Sequence, residues 1–212
     1  MSNQTPADET HPFPPGASPF RAKGSFYLGS QEFAEERITG GWAAIVEQCR
    51  HTPALARFLG QRFLAASWYD ALPLSELARA GARAASLPYA TFTRQRAEWQ
   101  AERDVSGLYR VLLRLTSPDV VIDRLARMVA QRFDFGSSRV EVVGDKRLRF
   151  VRAGVPRPLA PWQVSMSEPY TTHLMRMAGA RDPSFLASPS FEVDGMAHSV
   201  PTVSIVFEGS WR

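Results

Sequence analysis

Apolar residues follow a helical spacing through most of this chain and a strand spacing near its end, and this change constrains the fold most. Val121, Leu125 and Met128 recur every three or four residues, which places them on one helical face. Val140 and Val142 instead alternate with charged residues, as in a strand with one buried face. Helices followed by hairpins are typical of an α+β domain. The sequence therefore predicts an antiparallel sheet built from hairpins, with several helices packed on one side.

Short signals divide the helical part. Thr52-Pro53 and Ser117-Pro118 each place a proline in a first helical turn after a capping residue. Small residues between 78 and 85 predict a helix face suited to close packing. The longest helix is predicted over residues 89–115, and a later one around residues 170–178.

Other segments predict strands and turns. Residues 24–29 form an aromatic run between glycines and predict an edge strand, after which Ser30 would cap a short helix. Gly144-Asp145 predicts the turn of a first hairpin, and Asp194-Gly195 predicts that of a second.

Prolines concentrate near the N-terminus, where five of the 16 precede Lys23. Phe13 and Phe20 are the large apolar residues of that segment. A segment that buries so little does not offset the entropy lost on ordering. We therefore predict a disordered, proline-rich tail over residues 1–22 and a single α+β domain over residues 23–212.

The single cysteine, Cys49, excludes an internal disulfide and fits a reducing compartment. No apolar run approaches the roughly 18 residues that a transmembrane helix needs. Residues 1–10 carry acids where a signal peptide would carry positive charge. We expect a cytoplasmic protein that does not bind a membrane.

The chain has 25 lysines and arginines against 21 acids, a net charge of +4, and almost all of its cations are arginine. Arg94, Arg96 and Arg103 recur along one predicted helix, a pattern that would suit an arginine-mediated nucleic-acid-associated protein if the side chains shared a face. Glu98 and Glu102 are interleaved with them, as on a solvated helix. Nucleic-acid binding is therefore kept as the alternative function.

Sequence motifs for catalysis are missing. There is no Gly-x-Ser-x-Gly elbow and no glycine-rich phosphate loop. One cysteine and four scattered histidines give no paired spacing for a metal site. We therefore expect no enzymatic activity, no metal and no other cofactor.

Four short motifs occur in a particular order, at residues 23–28, 67–69, 105–110 and 132–136. They read Lys-Gly-Ser-Phe-Tyr-Leu, Ser-Trp-Tyr, Val-Ser-Gly-Leu-Tyr-Arg and Arg-Phe-Asp-Phe-Gly. In these motifs the chain resembles a family of uncharacterised bacterial proteins found mainly in myxobacteria. That family is similar to the 4-vinyl-reductase domain and, more distantly, to haem-NO-binding domains. The resemblance implies a ligand-binding fold in which helices cover a sheet.

The resemblance also defines what a haem site would need: a proximal histidine on a helix, followed by a Tyr-x-Ser-x-Arg set. Residues 89–94 (Tyr-Ala-Thr-Phe-Thr-Arg) resemble that set, with Arg94 one position late. His173 and His198 follow it instead of preceding it. Relatives of the 4-vinyl-reductase type carry cysteines near the last strand, and this chain has none there. The resemblance therefore implies the fold without haem or thiol chemistry.

Large aromatic residues near predicted helix ends could line a pocket between helices and sheet, although each of them also fits an ordinary core position. Together with the resemblance they favour a site for a small hydrophobic ligand. The predicted lining residues are Trp68, Tyr69, Trp99, Leu108, Tyr109 and Leu112. The sequence thus predicts a non-catalytic sensory or regulatory module that binds a small hydrophobic ligand or a protein partner, with a second copy of the chain as one such partner.

Overall fold

Helices precede most of the strands in the computed structural model, which describes residues 12–105 and 118–212. The helices are α1 (Ser25–Arg37), α2 (Gly41–Glu47), α3 (Pro53–Leu59), α4 (Pro73–Ala84), α5 (Tyr89–Asp104), α6 (Pro118–Arg132) and α7 (Ala160–Met177). The strands are β1 (Arg21–Lys23), β2 (Trp68–Asp70), β3 (Ser137–Gly144), β4 (Arg147–Pro156), β5 (Ser184–Ala187), β6 (Glu192–Ala197) and β7 (Val200–Ser210). A short 3-10 turn at Arg157–Leu159 leads into α7.

The main sheet is antiparallel and is organised around β7. Strand β4 pairs with one edge of β7, and β3 pairs with the outer edge of β4. On the other edge of β7, β6 pairs with its first half and β5 with its last residues. Strands β1 and β2 form a separate two-stranded sheet. The predicted α+β fold with an antiparallel sheet is confirmed.

One face of the main sheet is buried against helices. Leu148 and Phe150 on β4 are buried, whereas Arg147 and Arg149, which alternate with them, are exposed. On β7, Ile205 is likewise buried. This alternation confirms the predicted first hairpin, with one exception: Val142 on β3 is 79% exposed, because β3 is an edge strand.

The helices α1 to α5 enclose a densely packed aromatic core. The Tyr27 ring stacks on Phe63 at a centroid distance of 4.4 Å. Helices α4 and α5 approach closely at Gly81, where a Cβ atom would lie 2.3 Å from Cζ of Phe92. The predicted small-residue face of this helix is therefore needed for contact between α4 and α5.

The predicted edge strand over residues 24–29 is wrong, because the chain is already helical at Ser25. Tertiary packing overrides the aromatic preference for strands here. The Tyr27 ring is buried and its hydroxyl donates a 2.5 Å hydrogen bond to the Asp70 carbonyl oxygen. Ser30 caps no helix, since its hydroxyl donates to the Phe26 carbonyl oxygen within α1.

The second hairpin exists, but its predicted turn is wrong. Strand β6 continues through Asp194-Gly195, where its pairing with β7 shifts register. The chain reverses at His198-Ser199. Both turn residues have positive φ, 50° and 63°, as a two-residue hairpin turn of the primed type requires. The Asp194 carboxylate instead accepts hydrogen bonds from the Gly154 amide and from the Thr202 and Ser204 hydroxyls.

The late helix begins earlier than predicted. Helix α7 starts at Ala160 and includes Tyr170 in its second half. Pro161 lies in its first turn, where a missing amide hydrogen costs nothing. The residues from Ala160 to Pro169, which lie before the predicted helix, are therefore the first half of α7.

Part of the predicted tail packs on the folded region. Phe20 and Ser18 are buried. The Gly16 and Ser18 amides and the Ser18 hydroxyl donate hydrogen bonds to the buried Asp70 carboxylate. Ordered packing thus begins before residue 23, and the division into a tail and a single domain stays a prediction.

Within residues 12–105 and 118–212, none of the helices is long and apolar enough to cross a membrane. The same ranges contain no cluster of three or more His, Cys, Asp or Glu side chains arranged to hold a metal ion.

Candidate ligand-binding site

A cavity of about 120 Å³ lies between helices α1, α5, α6 and α7 and the main sheet. It is lined by Ser25, Phe26, Arg96, Gln100, Asp104, Met128, Val129, Arg132, Phe133, Phe150, Trp162, Gln163, Met166, Ser167, Tyr170, Thr171, Phe185 and Phe207. An engineered apolar cavity of about 150 Å³ in another protein binds benzene. The cavity therefore has room for a molecule built on one aromatic ring.

Three phenylalanines on the sheet form an aromatic floor. Phe185 of β5 and Phe207 of β7 are stacked, with centroids 4.8 Å apart and planes 10° apart. Phe150 of β4 lies directly opposite Phe207 in the strand register, and their centroids are 5.9 Å apart. Strand alternation and register thus bring three rings to one face, where an aromatic ligand could pack.

Helix α5 supplies a row of polar side chains. Arg96, Gln100 and Asp104 are four residues apart and therefore share one helical face. Arg96 Nη1 donates to Gln100 Oε1 at 2.9 Å, and Gln100 Nε2 donates to Asp104 Oδ1 at 2.6 Å. Asp104 Oδ2 accepts from the Tyr170 hydroxyl at 2.8 Å and lies 3.4 Å from Arg132 Nη2. The row links α5, α6 and α7 along one side of the cavity.

Helix α7 presents two parallel rows to the cavity. Successive members of each row are four residues apart and therefore lie on one side of the helix. One row is apolar or aromatic, and the other is polar. The rows consist of Trp162, Met166 and Tyr170, and of Gln163, Ser167 and Thr171.

Two atoms of the polar row are buried without a hydrogen-bond partner in the described parts of the chain. They are Gln163 Oε1 and Thr171 Oγ1, and their residues are 5% and 0% exposed. Burying a polar atom without a partner is unfavourable, so native proteins rarely do it away from functional sites. These atoms are therefore available to a polar group in the cavity.

The Arg96 guanidinium is the most unusual group in the site. It is 5% exposed, and its second terminal nitrogen, Nη2, lies 3.5 Å from the Ser30 hydroxyl. Its Nε is buried without a partner among the described residues. Burial lowers the pKa of Arg96 to about 10, although the Asp104 and Glu32 charges act in the opposite direction. The side chain therefore remains a cation at neutral pH.

The Tyr170 hydroxyl stays protonated in this environment. Burial raises its pKa well above the ordinary value, and the Asp104 charge raises it further while Arg132 lowers it. The hydroxyl therefore acts as a hydrogen-bond donor to Asp104. The described lining contains no histidine or cysteine that could pair with a serine or threonine as base or nucleophile.

The three predicted pocket residues in the described ranges do not line this cavity. Trp68 is 44% exposed, with Lys23 Nζ 3.8 Å from its ring centroid. The Tyr69 hydroxyl accepts a hydrogen bond from the Leu64 amide. Trp99 is buried, and its indole donates to Glu36 Oε2 at 2.8 Å. Leu108, Tyr109 and Leu112 lie outside the described residues, so their place in the site stays a prediction.

Among the described residues, two of the three arginines of the predicted row on α5 do not offer a free positive charge. Arg96 is buried, and Arg103 contacts Glu32 and Glu36 at 2.9 Å. Arg149 on the sheet contacts Glu208 at 2.9 Å. Because these charges are paired or buried, the structure does not favour the alternative function.

Sequence reasoning missed the α5 row and the α7 rows. The signal was present as a four-residue spacing in both helices, but Arg96 was grouped with Arg94 as a surface arginine. Arg94 is exposed, whereas Arg96, half a turn further on, faces the core. The rows of α7 were missed because the late helix was predicted only from residue 170, so Trp162 and Met166 lay outside it.

Solved structures with a similar fold are H-NOX domains, which bind haem and nitric oxide. One, from Shewanella woodyi with IWP-051 bound in the Fe(II)CO state, is 13% identical, covers 89% of this chain and 94% of its own, and has a TM-score of 0.56. Another, the Fe(II) unliganded domain from K. algicida, is 10% identical, covers 90% and 97%, and has a TM-score of 0.53. This chain has the H-NOX fold. No protein-family model and no curated protein match the sequence.

The cavity residues do not fit haem. The described lining offers no histidine or cysteine as an axial ligand. His51 and His198 are exposed, and His173 on α7 lies 3.7 Å from Glu102. A volume of about 120 Å³ suits one ring, whereas a porphyrin contains four pyrrole rings. The chain combines an H-NOX fold with a cavity of different chemistry.

Proposed function

We propose that this protein is a non-catalytic sensory module that binds a small, single-ring hydrophobic ligand in the cavity between α1, α5, α6, α7 and the sheet. The observation that carries the proposal is the pairing of an aromatic floor with buried, unpartnered polar atoms in one cavity. The floor favours an apolar body, and the polar atoms favour a specific orientation.

The fold supports a sensory role and not an enzymatic one. The solved domains with this fold are ligand-binding H-NOX domains, and their sequence identity to this chain is low. The described lining lacks a nucleophile paired with a base. Kinship with the myxobacterial and 4-vinyl-reductase-like proteins, a homodimer or other protein partner, and a cytoplasmic location are further parts of the prediction from sequence.

Ligand binding is tested with fluorobenzene as a neutral single-ring probe, observed by ¹⁹F NMR. We expect saturable binding to the wild-type protein. The Ser167→Leu variant should weaken it at least tenfold, because Ser167 lines the cavity and the larger side chain would occupy its volume. Thr172→Leu is the matched control: Thr172 lies on the same helix and does not line the cavity.

Binding that is equal in both variants would place the probe elsewhere and refute the cavity as the site. Absence of saturable binding to the wild type would refute the single-ring ligand. Circular dichroism of both variants shows that each remains folded, so that a loss of binding is not a loss of structure.

A further inference from the structure

Arg96 is a buried cation whose direct partners are neutral. Its terminal nitrogens contact Gln100 Oε1 and the Ser30 hydroxyl, and its Nε has no partner among the described residues. A buried charge is costly unless a charge of opposite sign or strong hydrogen bonds compensate it. Weak compensation comes from the Phe33 and Trp99 rings, 5.8 Å and 5.3 Å from its Cζ.

The charges that line the cavity leave a positive surplus. Arg96 and Arg132 face a single carboxylate, Asp104. Asp104 already accepts hydrogen bonds from Gln100 and Tyr170 and contacts Arg132, so its oxygens are engaged. The positive charge of Arg96 is therefore the one that an incoming anion would meet.

The guanidinium is held in place from the side opposite its helix. Gly29 of α1 is buried, and a Cβ atom there would lie 2.8 Å from Arg96 Nη2 and 2.4 Å from Gln100 Oε1. A side chain at position 29 would thus push the Arg96 and Gln100 head groups aside. The close approach of α1 fixes both groups beside the cavity, as preorganised binding sites require.

Resting on the proposed function, we infer that the ligand is a monocyclic aromatic carboxylate, with its ring over the Phe150, Phe185 and Phe207 floor and its carboxylate on Arg96. A carboxylate accepts the donors that a guanidinium offers, and a charge-assisted hydrogen bond is about twice as strong as a neutral one. Gln163 Oε1 and Thr171 Oγ1 add an acceptor and a hydroxyl, which suit a hydroxyl substituent on the ring.

The test compares 4-fluorobenzoate, 4-fluorobenzamide and inorganic phosphate on the wild-type protein, using ¹⁹F NMR and competition. The benzoate and the benzamide have nearly the same shape and differ in charge. We expect 4-fluorobenzoate to bind at least tenfold more tightly than 4-fluorobenzamide, and phosphate not to displace it. Arg96→Met should abolish the preference for the benzoate, whereas Arg94→Met, an exposed arginine on the same helix, should retain it.

The outcomes separate this inference from the proposed function. Binding of fluorobenzene and 4-fluorobenzamide without a preference for 4-fluorobenzoate overturns the carboxylate and leaves the hydrophobic site. Binding of none of the three ring compounds overturns both. Displacement by phosphate overturns the aromatic part of the ligand. The wild-type comparison decides the carboxylate even if Arg96→Met fails to fold.

Discussion

Two buried charged side chains, Asp70 and Arg96, have opposite environments, although both are at most 5% exposed. Asp70 accepts hydrogen bonds from the Gly16, Ser18 and Leu72 amides and from the Ser18 hydroxyl. Arg96 has neutral partners and an unpartnered Nε beside a cavity. The difference teaches that burial alone does not identify a binding group: the Asp70 carboxylate is fully hydrogen-bonded within the fold, whereas Arg96 keeps an unpartnered donor beside a cavity.

The largest expected effect comes from removing the Asp70 carboxylate, the buried charge with complete hydrogen bonding. Asp70→Ala leaves three buried or half-buried amides without their acceptor, and each such loss costs about 1–3 kcal/mol. We expect the free energy of unfolding in urea to fall by about 3 kcal/mol or more. Asp134→Ala is the control, because Asp134 accepts a 2.7 Å bond from the Arg21 amide at an exposed position. Equal losses in both variants would contradict the structural role of Asp70.

The second effect concerns how closely atoms are packed around two glycines, Gly81 and Gly144. Gly81→Ala places a Cβ atom against the Phe92 ring between α4 and α5, so we expect a loss of about 1–3 kcal/mol by overpacking. Gly144→Ala, whose nearest neighbour would be Cβ of Arg147 at 3.8 Å, should be close to neutral. Thermal unfolding of the two variants measures the difference. A neutral Gly81→Ala would show that α4 and α5 do not pack as closely at Gly81 as the structure has them.

The third effect has the opposite sign, because Thr171 is buried with an unpartnered hydroxyl. We expect Thr171→Val to stabilise the unliganded protein by about 1 kcal/mol, since it removes an unsatisfied polar atom with little change of shape. Thr202→Val should destabilise it by a similar amount, because the Thr202 hydroxyl donates to Asp194 at 2.7 Å. Urea unfolding of both variants checks the sign. Destabilisation by Thr171→Val would show that its hydroxyl is satisfied in solution.

The smallest effect is expected at Asp194, which is exposed although its carboxylate accepts three hydrogen bonds. Burial raises its pKa, but hydrogen bonds from Gly154, Thr202 and Ser204 outweigh this and leave the pKa below its ordinary value. A carboxyl whose pKa is lower in the folded state stabilises the fold above the unfolded pKa, near 3.9, and this contribution is lost as the pH falls. Asp194→Asn should flatten the decline in unfolding midpoint between pH 5 and pH 3. An unchanged decline would show that these bonds do not survive in solution.

Local signals in the sequence predicted the elements that depend on local interactions. The proline start of α3, the small face of α4 and the Gly144-Asp145 hairpin are set by residues close together in the chain. Elements fixed by distant contacts were missed. The first residues of α1 were predicted as a strand, because the contact of Tyr27 with the distant Phe63 is not visible in the sequence. The Asp194-Gly195 pair was predicted as a turn, but it forms a bulge within β6.

The site was less predictable than the fold, because burial of one helix face depends on tertiary packing. Trp99 and Arg96 lie on the same helix, three residues apart, and the aromatic residue was chosen as the ligand contact. The structure buries both and gives Trp99 a complete hydrogen bond to Glu36. Residue size therefore indicated where the core lies, but not which buried group lacks a partner.

The central position of β7 has a consequence for motion. It pairs with β4 along one edge and with β5 and β6 along the other, so its amides should exchange with solvent most slowly among the described strands. Phe207 anchors the cavity floor to this strand. The Phe207 ring of the floor is therefore carried by the strand that we expect to open last.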